Sequence, residues 1–174
     1  MSTKQLPRWI PTSRRSVLVT AGVGVAVVAG LLTWALWPEP PRQREYLDAT
    51  ACLLTDEQGV TADPARPVWK AMQAASVKSL VRVQNLQVMG PQTAENAAAH
   101  LASMTGGGCG AILAVGPAPI EAVTRSAGGH RDIRFLTVGG GTTADNIQVL
   151  DAGAPEALQK TIQEHLDTLA DDAG

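Results

Sequence analysis

Aromatic residues are scarce in this sequence of 174 residues: they make up 3% of it, and charged residues make up 17%. So few aromatic side chains argue against the stacking surface on which proteins hold single-stranded nucleic acid. The net charge of −2 gives no basic surface that could follow a phosphate backbone. Composition therefore argues against nucleic acid as a partner. The length suits one domain of ordinary size, or one domain with an appendage.

Acidic residues are missing from the first 38 positions, which hold four of the fourteen lysines and arginines. All sixteen acidic residues lie at or beyond Glu39. The two parts therefore carry formal charges of about +4 and −6, and such an asymmetry indicates that they occupy different compartments.

Charged residues are also absent from residues 17–37, an apolar run with the sequence VLVTAGVGVAVVAGLLTWALW. A helix of this length spans roughly 30 Å, the thickness of the hydrocarbon core of a bilayer. The basic residues before it place residues 1–16 in the cytoplasm, because positive flanks stay inside. The sequence thus predicts a single-pass protein of the cell membrane, with its C-terminal part outside the cytoplasm.

The membrane signal has alternative interpretations. Residues 13–16 (SRRS) resemble a twin-arginine export signal, although two arginines also simply orient a hydrophobic run. No small residues suited to cleavage follow the run directly, and residues 49–52 (ATAC) lie about 14 residues beyond it. The sequence therefore favours an uncleaved signal anchor.

Small residues recur every four positions within the span, at Gly22, Ala26 and Gly30. Such a stripe lets two helices pack closely, which would allow a homodimer or a membrane protein partner. Spans rich in alanine and glycine also produce this pattern by chance. Residues 38–48 are proline-rich and polar, so they are predicted to form a linker that leaves the membrane.

The remainder, residues 49–174, alternates predicted strands with predicted helices. The predicted strands are 51–55, 81–88, 110–115, 133–138 and 146–150, and the predicted helices are 67–78, 93–104, 119–126 and 156–170. This alternation is typical of an α/β domain with a parallel sheet, and five strands favour the flavodoxin-like order 2-1-3-4-5. The apolar alternation shifts within the second strand, which indicates a bulge or a place at the sheet edge.

Three segments of this domain resemble the basic membrane protein (BMP) family. Residues 53–56 (LLTD), with the helix bearing Trp69, resemble the opening of that family, and residues 110–116 (GAILAVG) and 130–138 (HRDIRFLTV) resemble its next strands. Members are substrate-binding proteins of ABC transporters with the type 1 periplasmic-binding-protein fold. The resemblance implies solute binding or sensing, with a nucleoside-like ligand. Because members have two lobes, this chain is expected to be a single-lobe, degenerate relative.

Ligands of open parallel sheets bind at the carboxyl ends of the strands, where the strand order reverses. The residues predicted to gather there are Thr55, Asp56, Gln58, Gly116, Gly139, Gly140 and Thr142. Asp56 would accept hydrogen bonds from a sugar hydroxyl or an amine, and the glycines would allow close approach of the ligand. The helix after Pro117 would offer its positive end to an anion. Alternatively, Asp56 only closes a turn and the glycines only begin tight loops.

Catalytic and metal-binding patterns are missing from the sequence. The three histidines, His100, His130 and His165, lack the spacing of metal ligands, and His100 and His165 are expected to be solvated. No nucleophile elbow or catalytic carboxylate pair occurs. The sequence therefore predicts no enzyme, no cofactor and no metal site. The competing function is an accessory or structural subunit of an envelope complex, in which the membrane helix and the lobe bind proteins.

The two cysteines, Cys52 and Cys109, stand at the N-terminal ends of the first and third predicted strands. These strands are neighbours in the proposed order, and adjacent strands lie about 4.8 Å apart, within reach of a disulfide. An oxidising exterior would permit that bond. Buried free thiols are the alternative.

Overall fold

Apolar runs and amphipathic stretches alternate along residues 44–174, the part of the chain that the computed structural model describes. The strands are β1 (Thr50–Thr55), β2 (Arg82–Gln87), β3 (Cys109–Val115), β4 (Arg134–Val138) and β5 (Ile147–Leu150). The helices are α1 (Ala65–Ser79), α2 (Ala94–Gly106), α3 (Pro117–Ser126) and α4 (Pro155–Asp171). Each predicted strand and helix is therefore present, with shifted ends.

The five strands form one parallel sheet with the order β2-β1-β3-β4-β5. The predicted flavodoxin-like order is thus confirmed. Helices α1 and α4 pack together on one face of the sheet, and α2 and α3 pack together on the other. Side chains of β1 alternate between the two layers: Leu53 lies in the α1/α4 layer and Leu54 in the α2/α3 layer. Because both faces of β1 are covered, its sequence is apolar nearly throughout.

Strand β2 lies at the edge of the sheet, which was one of the two predicted explanations for its irregular pattern. Its register with β1 is unbroken, from Thr50 opposite Arg82 to Thr55 opposite Gln87. The register shift of this sheet lies between β1 and β3 instead, at Thr50 and Ala51. The polar residues of β2 thus reflect exposure of an edge strand rather than a bulge.

Local sequence signals explain where the helices begin and end. Helix α2 follows Thr93, whose hydroxyl oxygen accepts a hydrogen bond from the N–H of Asn96 at 3.2 Å, as an N-cap does. Helices α1 and α3 each begin two residues before the predicted start. In α1, Pro67 occupies the third helical position, where an N–H would have no intrahelical partner anyway.

The predicted membrane segment falls outside this part of the chain. The cytoplasmic tail, the transmembrane helix at residues 17–37 and the small-residue stripe within it all lie outside the described residues. Among residues 44–174, no helix combines the length and the apolar character needed to cross a membrane. The side chain of Arg44, the first of the described residues, donates to the carbonyl of Val77 at 3.0 Å.

Candidate functional site

The carboxyl ends of β1 and β3 bring Asp56 against Gly116. A Cβ atom on Gly116 would lie only 3.1 Å from both Cβ and Oδ2 of Asp56. Gly116 also has a φ of +101°, a conformation that side chains disfavour. Both the backbone conformation and the close approach of the carboxylate therefore require glycine at this position.

The carboxylate of Asp56 has one engaged and one free oxygen. Its Oδ1 accepts a hydrogen bond from the N–H of Gln58 at 3.0 Å, and the backbone carbonyl of Asp56 accepts from Gly59 at 3.1 Å. Asp56 thus closes a turn, as the alternative interpretation states, and Gln58 contributes its backbone N–H to that turn. The other oxygen, Oδ2, has no hydrogen-bond partner among residues 44–174.

Thr55 carries a second polar atom without a partner, directly before Asp56 in the chain. The residue is fully buried, and within the described part of the chain its Oγ1 makes no hydrogen bond. A buried hydroxyl without a partner costs about 1–3 kcal/mol. Thr137 of β4 is equally buried, but its Oγ1 donates to the carbonyl oxygen of Gly140 at 2.6 Å. The two threonines therefore differ in one interaction.

The glycine loop after β4 packs closely on the start of α3. The N–H of Gly139 donates to the carbonyl of Leu150 at 2.9 Å, which extends the sheet by one bond. A Cβ on Gly140 would lie 3.6 Å from Cδ1 of Ile120, whereas Thr142 is exposed. The structure thus groups Thr55, Asp56, Gln58 and Gly116 directly, and it places Gly139 and Gly140 at the end of the next strand.

The start of α3 has fewer free backbone N–H groups for binding an anion than the sequence predicts. Pro117 and Pro119 have no backbone N–H, and the N–H of Ile120 already donates to the carbonyl of Gly116 at 3.0 Å. Only the N–H of Ala118 stays available in this first turn, whereas helix starts that bind anions present several such donors. The carboxyl edge therefore offers a ligand an acceptor, Oδ2 of Asp56, more than donors, and Oγ1 of Thr55 is buried from solvent.

Five surface cavities of 240–560 Å³ lie elsewhere on the lobe. The one of 560 Å³ is at the amino edge of the sheet, and Tyr46, Arg82 and Gln84 are among the residues that line it. None of the five is lined by a predicted ligand residue. The cluster at the carboxyl edge is therefore distinct from these cavities.

The structure joins Cys52 and Cys109 in a disulfide, with their Cα atoms 5.9 Å apart. Both residues are buried, and the side-chain amide of Gln84 reaches both sulfur atoms, at 3.1 and 3.4 Å. The predicted pairing is present in place of the alternative of two free thiols. Because it lies at the amino ends of the strands, opposite the ligand residues, its role is structural.

His165 is half-buried on α4, whereas the sequence predicts a solvated side chain. Its Nε2 lies 2.7 Å from Oε1 of Gln148 on β5. Burial and then the nearby charge of Arg134 lower the pKa of His165 from its ordinary value. Among residues 44–174, no three His, Cys, Asp or Glu side chains are grouped so that they could hold a metal ion.

These features define a doubly wound α/β lobe, with a disulfide at one end of its sheet and polar groups at the other. Among solved structures it is similar to a fragment of a presumed lipoprotein from Peptoclostridium difficile 630, with a TM-score of 0.56 and 12% sequence identity. The likeness covers 67% of this chain and 97% of that one. At this identity it shows the fold alone.

Two more solved structures are less similar. One is a transcriptional activator of the comK gene from Bacillus halodurans (TM-score 0.47, 17% identity, 57% of this chain and 33% of that one). The other is a 5-methylthioribose transporter solute binding protein from Thermotoga lettingae TMO, in complex with 5-methylthioribose (TM-score 0.46, 12% identity, 69% and 47%). This chain thus spans less than half of either protein. No protein-family model and no curated protein matches it, so membership of the BMP family stays a prediction.

Proposed function

We propose that this chain is a membrane-anchored protein whose lobe, residues 44–174, binds a small polar solute outside the cytoplasm. The observation that carries the proposal is the free carboxylate oxygen of Asp56, at the carboxyl end of β1. Oδ2 of Asp56 lacks a hydrogen-bond partner within the described lobe. This oxygen lies at the sheet edge where open α/β folds bind ligands.

An unpartnered acceptor favours a ligand that donates hydrogen bonds. A carboxylate oxygen accepts strongly from hydroxyl, amide and ammonium groups. The bare backbone of Gly116 beside it would let a flat or bulky ligand group come close. Sugars, nucleosides and amino acids carry such donors, and the resemblance to the BMP family points to the nucleosides among them. We propose binding without chemical conversion.

Two independent features support placing the lobe outside the cytoplasm. The disulfide between Cys52 and Cys109 is of a kind that persists in oxidising compartments and is rare in the cytosol. The basic residues before the apolar run at 17–37 favour an N-terminus in the cytoplasm, which leaves the lobe on the other side. Both features agree on an exported lobe held at the membrane.

A second candidate function is that of an accessory subunit that binds other proteins. Three large apolar side chains of the lobe are exposed: Tyr46, Val77 and Met89. Large exposed apolar side chains offer points at which another protein can bury apolar area. Under this alternative, partners would co-purify with the chain in a manner that depends on residues 17–37.

A thermal-shift screen tests the proposed function. The full-length chain is purified in detergent and heated with one nucleoside, sugar or amino acid at a time. A ligand present at about 100 times its Kd raises the free energy of unfolding by about 2.7 kcal/mol. We expect at least one of these solutes to raise the melting temperature. If none does, and partner proteins co-purify only when residues 17–37 are intact, the accessory function replaces solute binding.

A further inference from the structure

The outer edge of β2 presents unpaired backbone groups. The N–H groups of Arg82 and Val88 donate to the carbonyls of Ala49 and Thr55, each at 2.9 Å. Because bonding groups alternate along a strand, the N–H and C=O of Val83, Asn85 and Gln87 point away from β1. Within residues 44–174 these outward groups have no backbone partner. They form a ready template for another strand.

The opposite edge of the sheet is covered in part by the chain itself. Ala144 and Ile147 exchange two backbone hydrogen bonds, at 3.0 and 3.1 Å, in an antiparallel bridge along the outer side of β5. These two bonds give the outward N–H and C=O of Ile147 hydrogen-bond partners. Of the two edges of the sheet, β2 is therefore the one on which a further strand can dock along its length.

Strand β2 also lacks the features with which proteins protect an edge. Its sequence RVQNLQ contains no proline, and its one charged residue, Arg82, stands at its start, where it pairs with Asp48 at 2.5 Å. Edge strands that avoid pairing usually carry central charges, prolines or bulges. The centre of β2 is instead formed by Gln84 and Asn85, which are exposed and uncharged.

We propose that β2 pairs antiparallel with β2 of a second copy of this chain, with Asn85 on the two-fold axis. In this register Val83 stands opposite the partner's Gln87, and Asn85 stands opposite the partner's Asn85. All the outward N–H and C=O groups of both strands then find partners, since each such pair exchanges two hydrogen bonds. Arg82 stands opposite the partner's Val88, so no like charges face each other. The contact is isologous, as two-fold symmetry requires.

The exposed apolar side chains support this orientation. Met89 follows the end of β2 and is 65% exposed, and Tyr46, which is 43% exposed, lines the cavity at its start together with Arg82 and Val83. Antiparallel pairing brings Met89 of one copy towards the partner's Tyr46 at both ends of the contact. Thioether sulfur and aromatic rings attract each other, and both side chains leave water. This dimer is independent of the solute site and of any contact between membrane helices.

A cysteine on the two-fold axis tests the register. Hydrogen-bonded antiparallel residues have Cα atoms about 5.5 Å apart, within the range that a disulfide can bridge. We expect Asn85→Cys in the full-length chain, under mild oxidation in detergent, to give mostly covalent dimer on a non-reducing gel. The matched control is Thr143→Cys, exposed beside the opposite edge, and it should stay monomeric. Equal cross-linking of both variants, or none at Asn85→Cys, would overturn the proposal.

Two further variants test the pairing without a covalent bond. Asn85→Pro removes one outward N–H and leaves the bonds to β1 intact, and Asn85→Lys places like charges opposite each other on the axis. We expect each to weaken dimerisation at least tenfold in analytical ultracentrifugation, while the melting temperature of the lobe stays within a few degrees. A wild-type chain that is monomeric at micromolar concentration, or a Lys variant that dimerises as the wild type does, contradicts the pairing.

Discussion

Asp56 and Gly116 stand side by side at the carboxyl ends of β1 and β3, so close that a methyl group on Gly116 would lie 3.1 Å from the free oxygen of Asp56. The free carboxylate oxygen is thereby held against bare backbone at the edge of the sheet. A ligand that donates a hydrogen bond to Oδ2 would also contact the backbone of Gly116. The solute-binding proposal depends on this pair.

Substitution of Gly116 by alanine should destabilise the lobe more than the same change at Gly139. Both glycines have a positive φ, +101° and +79°, but a Cβ at Gly139 would meet only Cβ of Ala152 at an ordinary 3.7 Å. We expect Gly116→Ala to lower the free energy of unfolding by about 2–3 kcal/mol and Gly139→Ala by about 1 kcal/mol. Urea unfolding of both variants measures this difference. Equal losses would show that the contact with Asp56 is not tight.

The two buried threonines should respond in opposite directions to replacement by valine. Thr55→Val removes an unpartnered hydroxyl, so we expect the free energy of unfolding to rise by up to about 1 kcal/mol. Thr137→Val breaks the bond to the carbonyl of Gly140 and should lower it by about 1–2 kcal/mol. Chemical denaturation gives both values. A loss of stability in Thr55→Val equal to that in Thr137→Val would mean that the Thr55 hydroxyl has a partner.

The disulfide should contribute strongly to stability. Cys52 and Cys109 are 57 positions apart in the sequence, and cross-linking a loop of this size stabilises a fold by about 4 kcal/mol in the chain-entropy model. We expect the double variant Cys52→Ala, Cys109→Ala to lose most of that amount in urea unfolding. Intact-mass measurement with an alkylating agent checks the bond itself. Alkylation of both cysteines without prior reduction would contradict it.

Acidification should destabilise the lobe through His165. Its pKa in the folded state is lowered, by burial first and by Arg134 second, below the ordinary value of 6.5 that it regains on unfolding. The unfolded state therefore binds the proton more tightly, and the stability that neutral His165 supports above pH 6.5 is lost as the pH falls through the folded pKa. We expect the free energy of unfolding to fall between pH 7 and 5, and His165→Gln to flatten that slope. An unchanged slope in the variant would rule out His165 as its source.

Much of the fold could be predicted from the sequence because parallel sheets constrain it strongly. Apolar runs such as 110–115 must be buried on both faces, and that requirement places β3 beside β1 at the centre. Because β1 and β3 are adjacent, Cys52 and Cys109 are also predicted to lie within reach of a disulfide. The ends of helices were less predictable, since Pro67 is compatible with several positions in a first turn.

The site could be predicted only in outline. The alignment of strand ends brings Asp56 and Gly116 to one edge, and the sequence shows that much. The burial of Thr55 and the lack of a partner for its hydroxyl depend on packing against distant residues, which no local pattern encodes. The two prolines at the start of α3 were visible in the sequence. Because proline has no backbone N–H, they already argue against an anion site there. The half-burial of His165 depends on its contact with β5.

The most direct measurement compares Asp56→Asn with Asp151→Asn in the thermal-shift assay, using whichever nucleoside, sugar or amino acid stabilises the wild type. Asp151 makes the same kind of turn, with its Oδ1 accepting from the N–H of Gly153 at 2.8 Å, but it follows β5. Asparagine keeps the accepting Oδ1 in both turns, so both variants should fold. We expect Asp151→Asn to keep the full ligand-induced shift and Asp56→Asn to lose most of it. A full shift in Asp56→Asn would contradict the proposed solute site.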